Sequence, residues 1–127
     1  MIHLDTSFLI TALVAGSQQD RWLRSWLVDR ASLGVSAVAW AELLCGPIAP
    51  EQLELANRIV GEPQVFGGEE ARLSARLFNL GGRRRGSLID CMIAATAIRA
   101  GAALATANPA DFRRFETLGL DLAPATS

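Results

Sequence analysis

The sequence predicts an α/β domain with a central parallel sheet flanked by helices, on three observations. Short apolar runs alternate with longer segments of helical periodicity along the whole chain, which is the pattern of successive strand–helix units. Glycine and proline punctuate that alternation at Gly46-Pro47, Gly61-Glu62-Pro63, Gly81-Gly82 and Gly101, where helical segments must stop. Finally, 127 residues that are half hydrophobic and 20% charged can bury a core, are too few for two ordinary domains and are too apolar for disorder. Residues 1–127 are therefore read as a single domain.

Ile2-His3-Leu4 reads as a buried strand ending at Asp5, followed by a helical segment from Ser7 to Ala15. Gln18 to Arg30 is an amphipathic helix with Trp22, Leu23, Trp26 and Leu27 on one face. The two tryptophans, one turn apart, suit core or interface packing better than base stacking. Leu33-Gly34-Val35 is a second strand, Val38 to Cys45 an apolar helix, and Pro50 opens a helix through Ile59. Gln64-Val65-Phe66 is a third strand. Helices follow over Glu69 to Leu80 and Ser87 to Ala100. Ala103 to Thr106 is a fourth strand, Pro109 to Leu118 a short helix and Leu120 to Ala123 a fifth strand. In such folds ligands bind beyond the carboxyl ends of the strands, where Asp5 and Asn108 fall.

Composition removes several classes of function. The apolar start is interrupted by Asp5, lacks a preceding basic residue and falls short of the ~20 apolar residues a bilayer requires; cytoplasm is the default compartment. Cys45 and Cys91 form no CxxC pair and read as reduced core cysteines. A net charge of −1 and a pI near 5.8 argue against bulk electrostatic attachment to nucleic acid. All twelve basic residues are arginine, and Arg83, Arg84 and Arg85 are consecutive; they are candidates for gripping a phosphate backbone, beside the alternative of a solvated loop. Arg113 and Arg114 are similar. The mean hydropathy of +0.26 fits either a partner-binding apolar surface or an alanine-rich helical core.

Three acids stand in apolar surroundings: Asp5 between Met1-Ile2-His3-Leu4 and Thr6-Ser7-Phe8, Glu42 within Val38-Ala39-Trp40-Ala41-Glu42-Leu43-Leu44, and Asp90 within Ser87-Leu88-Ile89-Asp90-Cys91-Met92. A lone buried carboxylate costs several kcal/mol, which drives pairing, protonation or metal binding. Asp5 has a plain structural role open to it as a helix cap, and Ser87 with Asp90 spells a capping box. Glu42 lies too far into its helix for either role, so independent caps leave it stranded. A shared divalent cation accounts for all three, because hard cations such as Mg²⁺ take oxygen ligands. Asn108-Pro109-Ala110-Asp111 makes a good helix start, yet Asn108 also sits where its amide could join that shell.

Other chemistries fail on inventory. His3 is the only histidine, so a paired-histidine ribonuclease is excluded, and a Ser-His-Asp hydrolase would have to use that same histidine, with no nucleophile elbow in the sequence. The absence of lysine excludes a P-loop enzyme. A dehalogenase-like phosphatase requires an acid two residues after the first aspartate, where Ser7 stands.

Four segments carry a family resemblance: Leu4-Asp5-Thr6-Ser7-Phe8-Leu9-Ile10; Ala41-Glu42-Leu43-Leu44-Cys45-Gly46; Ile89-Asp90-Cys91-Met92-Ile93-Ala94-Ala95-Thr96-Ala97; and Thr106-Ala107-Asn108 with Asp111-Phe112. In this order and length they resemble the PIN-domain family, above all the VapC-type toxins of bacterial toxin–antitoxin pairs. The resemblance implies a parallel five-stranded sheet, with Asp5, Glu42 and Asp90 as catalytic metal ligands and Thr6 or Ser7 in support. It further implies Mg²⁺- or Mn²⁺-dependent cleavage of RNA by a metal-activated water, a VapB-type antitoxin that blocks the site, and a homodimer. The family's fourth acid often stands where this chain has Asn108, which puts a second tightly held metal in doubt; Asp111 could substitute from the next turn. A PIN-like interaction module without catalysis and a metal-dependent DNA nuclease are the alternatives. Loss of catalysis fits poorly with an intact acidic triad.

Overall fold

The computed structural model describes residues 1–124. Strands β1 (Ile2–Leu4), β2 (Leu33–Gly34), β3 (Ala103–Ala105) and β4 (Leu122–Ala123) form one sheet in the order β2-β1-β3-β4. Every pairing is parallel, with Ile2 opposite Leu33 on one side and Ala103 on the other, and Leu104 opposite Leu122. The helices are α1 (Thr6–Ala12), α2 (Gln18–Val28), α3 (Ala37–Cys45), α4 (Pro50–Val60), α5 (Gly68–Leu80) and α6 (Leu88–Arg99). The parallel α/β architecture expected from the sequence is thus present.

Four of the five expected strands are present; the third, Gln64-Val65-Phe66, is not a strand among the described residues. Gln64 makes one parallel bridge to Ser36, in which Ala37 N donates to the Gln64 carbonyl and Gln64 N to the Val35 carbonyl, both at 2.8 Å. The bridge lies on the outer side of β2, where a fifth strand would be. Val65 is 71% exposed, and Pro63 and Gly67-Gly68 bracket the segment, so little buried face rewards extending the ladder. The helix expected over Pro109 to Leu118 is two 3-10 turns, Pro109–Asp111 and Arg113–Leu118, broken at Phe112.

Local chemistry accounts for most helix ends. Ser17 Oγ accepts from Asp20 N at 2.9 Å to cap α2, and donates to the Thr11 carbonyl at 2.7 Å, so α1 closes at Ala12 rather than Ala15. Ser36 caps α3 through Ala39 N at 3.0 Å. Pro50 opens α4, its missing N–H costing nothing at that position.

Helix α6 buries Cys91 and the run Ile93-Ala94-Ala95-Thr96-Ala97; small side chains let it lie close beneath the sheet and α5. Trp26 stacks on core residue Phe8 with ring centroids 5.4 Å apart, and Trp22 stacks on Trp26 at 6.1 Å. The tryptophans are therefore packing residues. Both cysteines are free, but only Cys91 is buried; Cys45 is at the surface, two residues after buried Leu43 and so turned away from the core.

His3, in the central strand, is 2% exposed, and its Nδ1 has no hydrogen-bond partner among the described residues. Burial, and secondarily the positive N-terminus, holds its pKa below the ordinary 6.5. The unfolded chain therefore binds a proton that the fold refuses, and this contribution to stability is lost as pH falls below about 6.5. In urea titrations between pH 7.5 and 5, His3→Leu is expected to lack that increment; parallel pH dependences of the two proteins would refute it.

Candidate functional site

Strand β1 sits between neighbours that the chain reaches in opposite directions, so the carboxyl ends of β1 and β3 flank a crevice at the topological switch point. There lies a cleft of about 270 Å³ lined by Asp5, Glu42, Asp90, Asn108 and Asp111, with Thr6, Ser7, Ile10, Ile93 and Phe112. A larger cavity of about 820 Å³ opens between α2 and the C-terminal turns, and none of those five polar residues lines it.

Asp5 extends β1 pairing by donating its N–H to the Ala105 carbonyl at 3.0 Å. Its side chain caps α1, accepting from Phe8 N and Ser7 Oγ, each at 2.8 Å and both on Oδ1. The capping and site readings are thus compatible: one oxygen orients the carboxylate in the crevice. Asp5 is 4% exposed. Burial raises its pKa, hydrogen bonds from Thr106, Phe8 and Ser7 oppose that shift, and the Glu42 charge adds to it.

Glu42 departs from expectation in one respect: its side chain is exposed, not buried. The buried-acid reading therefore fails here. Its place in the cleft rests instead on Thr6, whose hydroxyl lies 2.8 Å from Glu42 Oε1 and 3.1 Å from the Ala39 carbonyl. Thr6 ties the start of α1 to the middle of α3.

Asp90 lies in the first turn of α6. The capping box is not formed: Ser87 makes no side-chain cap bond, and its hydroxyl donates to the Arg84 carbonyl at 2.6 Å. Freed of that role, Asp90 faces the cleft. Its pKa is raised from 3.8 to about 6, first by burial and then by the Asp111 charge, with Arg114 opposing and Asp5 and Glu42 adding smaller increments.

Asn108 likewise makes no side-chain cap bond; its backbone N donates to Thr106 Oγ1 at 3.0 Å and its carbonyl accepts from Asp111 N at 3.0 Å. Its amide remains on the cleft wall. Asp111 also lines the cleft and lies 3.8 Å from Arg84. Ser7 knits the two strand ends together, accepting from Ala107 N at 3.0 Å with its oxygen 3.2 Å from Thr106 Oγ1.

Two contributors carried little sequence signal. Thr106 read as the last residue of the fourth strand and as part of the fourth resembling segment, with no role of its own assigned, although a hydroxyl at a strand's carboxyl end is a usable hint. Arg114 turns inward: its guanidinium lies 4.2 Å from the Phe115 ring centroid, Nη1 donates to the Asp111 carbonyl, and Nη2 is buried without a partner among the described residues. The arginine triplet does not act as one patch. Arg84 faces Asp111, whereas Arg83 and Arg85 line a separate cavity.

Among the described residues no three acidic, histidine or cysteine side chains converge as a ready-made metal cage. Like-charged carboxylates in one cleft repel one another unless a cation stands between them. The donors are all oxygen and mostly anionic, which fits a hard divalent ion and not a thiophilic one.

A parallel α/β fold with an acidic cleft at its switch point, orientated by Thr and Ser hydroxyls, defines a class of site whose oxygen donors suit a hard cation. The chain belongs to the PIN-domain family, whose sequence model matches residues 2–118. Solved structures agree on the fold. The chain resembles FitAcB from Neisseria gonorrhoeae at 20% identity and a TM-score of 0.73, with 96% of each chain covered. It also resembles VapBC2 from Rickettsia felis, solved bound to a promoter DNA fragment, at 22% identity and TM-score 0.73, covering 96% of this chain and 97% of that one. VapBC-1 from nontypeable Haemophilus influenzae matches over 100% of both chains at 23% identity and TM-score 0.68.

Proposed function

We propose that this single-domain chain is the toxin of a toxin–antitoxin pair, a Mg²⁺- or Mn²⁺-dependent endoribonuclease acting in the cytoplasm. The observation that carries the reading is the gathering of Asp5, Glu42, Asp90, Asn108 and Asp111 on one cleft at the ends of β1 and β3. Asp5, Glu42 and Asp90 would hold the ion, with Asn108 and Asp111 available as further donors. When bound, such an ion supplies Lewis-acid activation of water and neutralises charge on a phosphodiester.

The chain's own residues do the rest. Phe8 N and Ser7 fix Asp5, Thr6 aims Glu42, and Ser7 with Thr106 keeps the two strand ends in register. Ile10, Ile93 and Phe112 restrict water around the acids. Arg83, Arg84 and Arg85 meet the RNA strand. The similar solved complexes named above support a VapB-type antitoxin as partner. Exposed apolar side chains such as Ile10, Val14, Val28 and Leu44 support an antitoxin surface and a homodimer. No helix among the described residues is long and apolar enough to cross a membrane.

Calorimetric titration of Mn²⁺ tests the site. Native protein is expected to bind and Glu42→Gln to bind at least tenfold more weakly, with RNA cleavage lost in parallel. Equal binding by both proteins removes Glu42 from the site, and no binding by the folded native chain overturns the metal reading. Competition between RNA and DNA of one sequence tests the substrate.

A further inference from the structure

We infer that the loop between α5 and α6 forms a subsite for one unpaired nucleotide of a single-stranded nucleic acid, its base against Phe78 and Arg83 and its phosphate at Arg85. The inference rests on the nuclease reading and gives the arginine triplet a division of labour. Beside the acidic cleft lies a second cavity of about 520 Å³, lined by Phe78, Asn79, Arg83, Arg85, Gly86 and Leu88 among others. That volume suits a nucleotide rather than an ion.

Its geometry is fixed. Arg83 N donates to the Phe78 carbonyl at 2.9 Å, folding the loop back over the end of α5. Arg83 has φ 52 and is flanked by Gly82 at φ 95, so the backbone adopts the left-handed region to aim this arginine. The guanidinium lies 5.4 Å from the centre of the Phe78 ring and donates to Asn79 Oδ1. The guanidinium covers one face of the half-buried ring and is held flat by it, so its own outer face and the ring edge are open to a base, a stacking mode that binds unstacked nucleotides in other proteins. Leu88 is 47% exposed and adds an apolar wall. Among the described residues Arg85 has no ion-pair partner, whereas Arg84 faces Asp111 across 3.8 Å. The cavity and the cleft share the first turn of α6: Leu88 lines one, and Asp90 two residues later lines the other. Consecutive arginines on a chain of net charge −1 favour a phosphate backbone as the occupant.

The test is fluorescence anisotropy with labelled 12-nucleotide RNA and DNA single strands, a duplex, and a strand with abasic positions, all in EDTA so that nothing is cleaved. Phe78→Leu and Arg83→Ala are expected to weaken single-strand binding by about fivefold or more, as loss of one stacked base does, and to change abasic binding little. Arg85→Ala should lower the salt slope by about one. Circular dichroism verifies each fold, and Phe78→Leu keeps the apolar bulk. Native-like binding by folded Phe78→Leu overturns the subsite, as does equal binding of duplex or no binding by native protein. Displacement of RNA by an acidic peptide with the same Phe78 dependence would assign the cavity to a protein partner and overturn it too. If strands bind here but Mn²⁺ produces no cleavage, the nuclease reading fails and the subsite stands; if cleavage depends on Asp90 while Phe78→Leu is silent, the subsite alone fails.

Discussion

Asp90→Asn is expected to lower RNA cleavage by a factor on the order of hundreds or more, the usual consequence of losing a main electrostatic group of a site, while making the metal-free protein harder to unfold. The two effects share one cause. Burial and the neighbouring Asp111 raise the Asp90 pKa from 3.8 to about 6. Between those values the folded chain binds more protons than the unfolded chain, so stability falls as pH rises through that window. Above about pH 6 the native fold carries the whole penalty of an ionised, crowded carboxylate, and an isosteric amide removes it. In thermal melts with EDTA, the gain in Tm should be clear at pH 7.5 and shrink towards pH 4. Because Asp90 is only half-buried, solvent screens part of the penalty. Added Mn²⁺ should reverse the order by stabilising native protein alone. A variant that cleaves RNA at the native rate would remove Asp90 from the site, and one no more stable at pH 7.5 would refute the electrostatic account.

Gly81→Ala is expected to destabilise the fold by about 2–4 kcal/mol, in the range of overpacked or strained sites. Gly81 closes α5, its N–H donating to the Leu77 carbonyl at 2.7 Å. A Cβ there would stand 2.6 Å from that same carbonyl oxygen, 3.1 Å from Phe115 and 3.4 Å from Arg114 Nε. Two of these neighbours are a backbone oxygen and a fully buried ring, so neither yields easily. The displacement would also reach Arg114, which holds the Asp111 carbonyl, and weaken cleavage beyond the loss of folded protein. Gly46→Ala is the control, since its Cβ would meet only the Leu43 carbonyl at an ordinary 3.6 Å; it should lie within about 1 kcal/mol of native. Chemical denaturation of both variants decides the matter, and equal midpoints would show that the Gly81 contact relaxes freely.

Much of the site was legible because its acids break local rules. Asp5 and Asp90 interrupt apolar runs, and Glu42 sits where no helix-end role reaches it. The reason Glu42 drew notice was nevertheless mistaken: Ala39 and Leu43 turn towards the core, while Glu42, like its neighbours Ala41 and Leu44, is exposed. Ser87 with Asp90 read as a cap, yet the hydroxyl bonds the Arg84 carbonyl instead. Asn108 read as a cap and makes none. In each case a local pattern named a possible bond, and a competing partner or turn geometry determined which bond formed.

The sequence by itself determined the alternation of strands and helices, the parallel sheet and the identity of the acids, because periodicity and glycine stops act over a few residues. Only the tertiary structure decided how far each element extends and which side chains meet. Gln64–Phe66 keeps one bridge of a strand because its outer face stays in solvent. Thr6 reaches Glu42 across 36 positions, and Ser7 meets Thr106 across 99; the pairing of β1 with β3 and the packing of α1 on α3 bring them together, and neither is written in any local window. The division of the three arginines has the same origin: a left-handed turn at Arg83 points one along the helix end, while the next faces an acid more than twenty residues further along the chain.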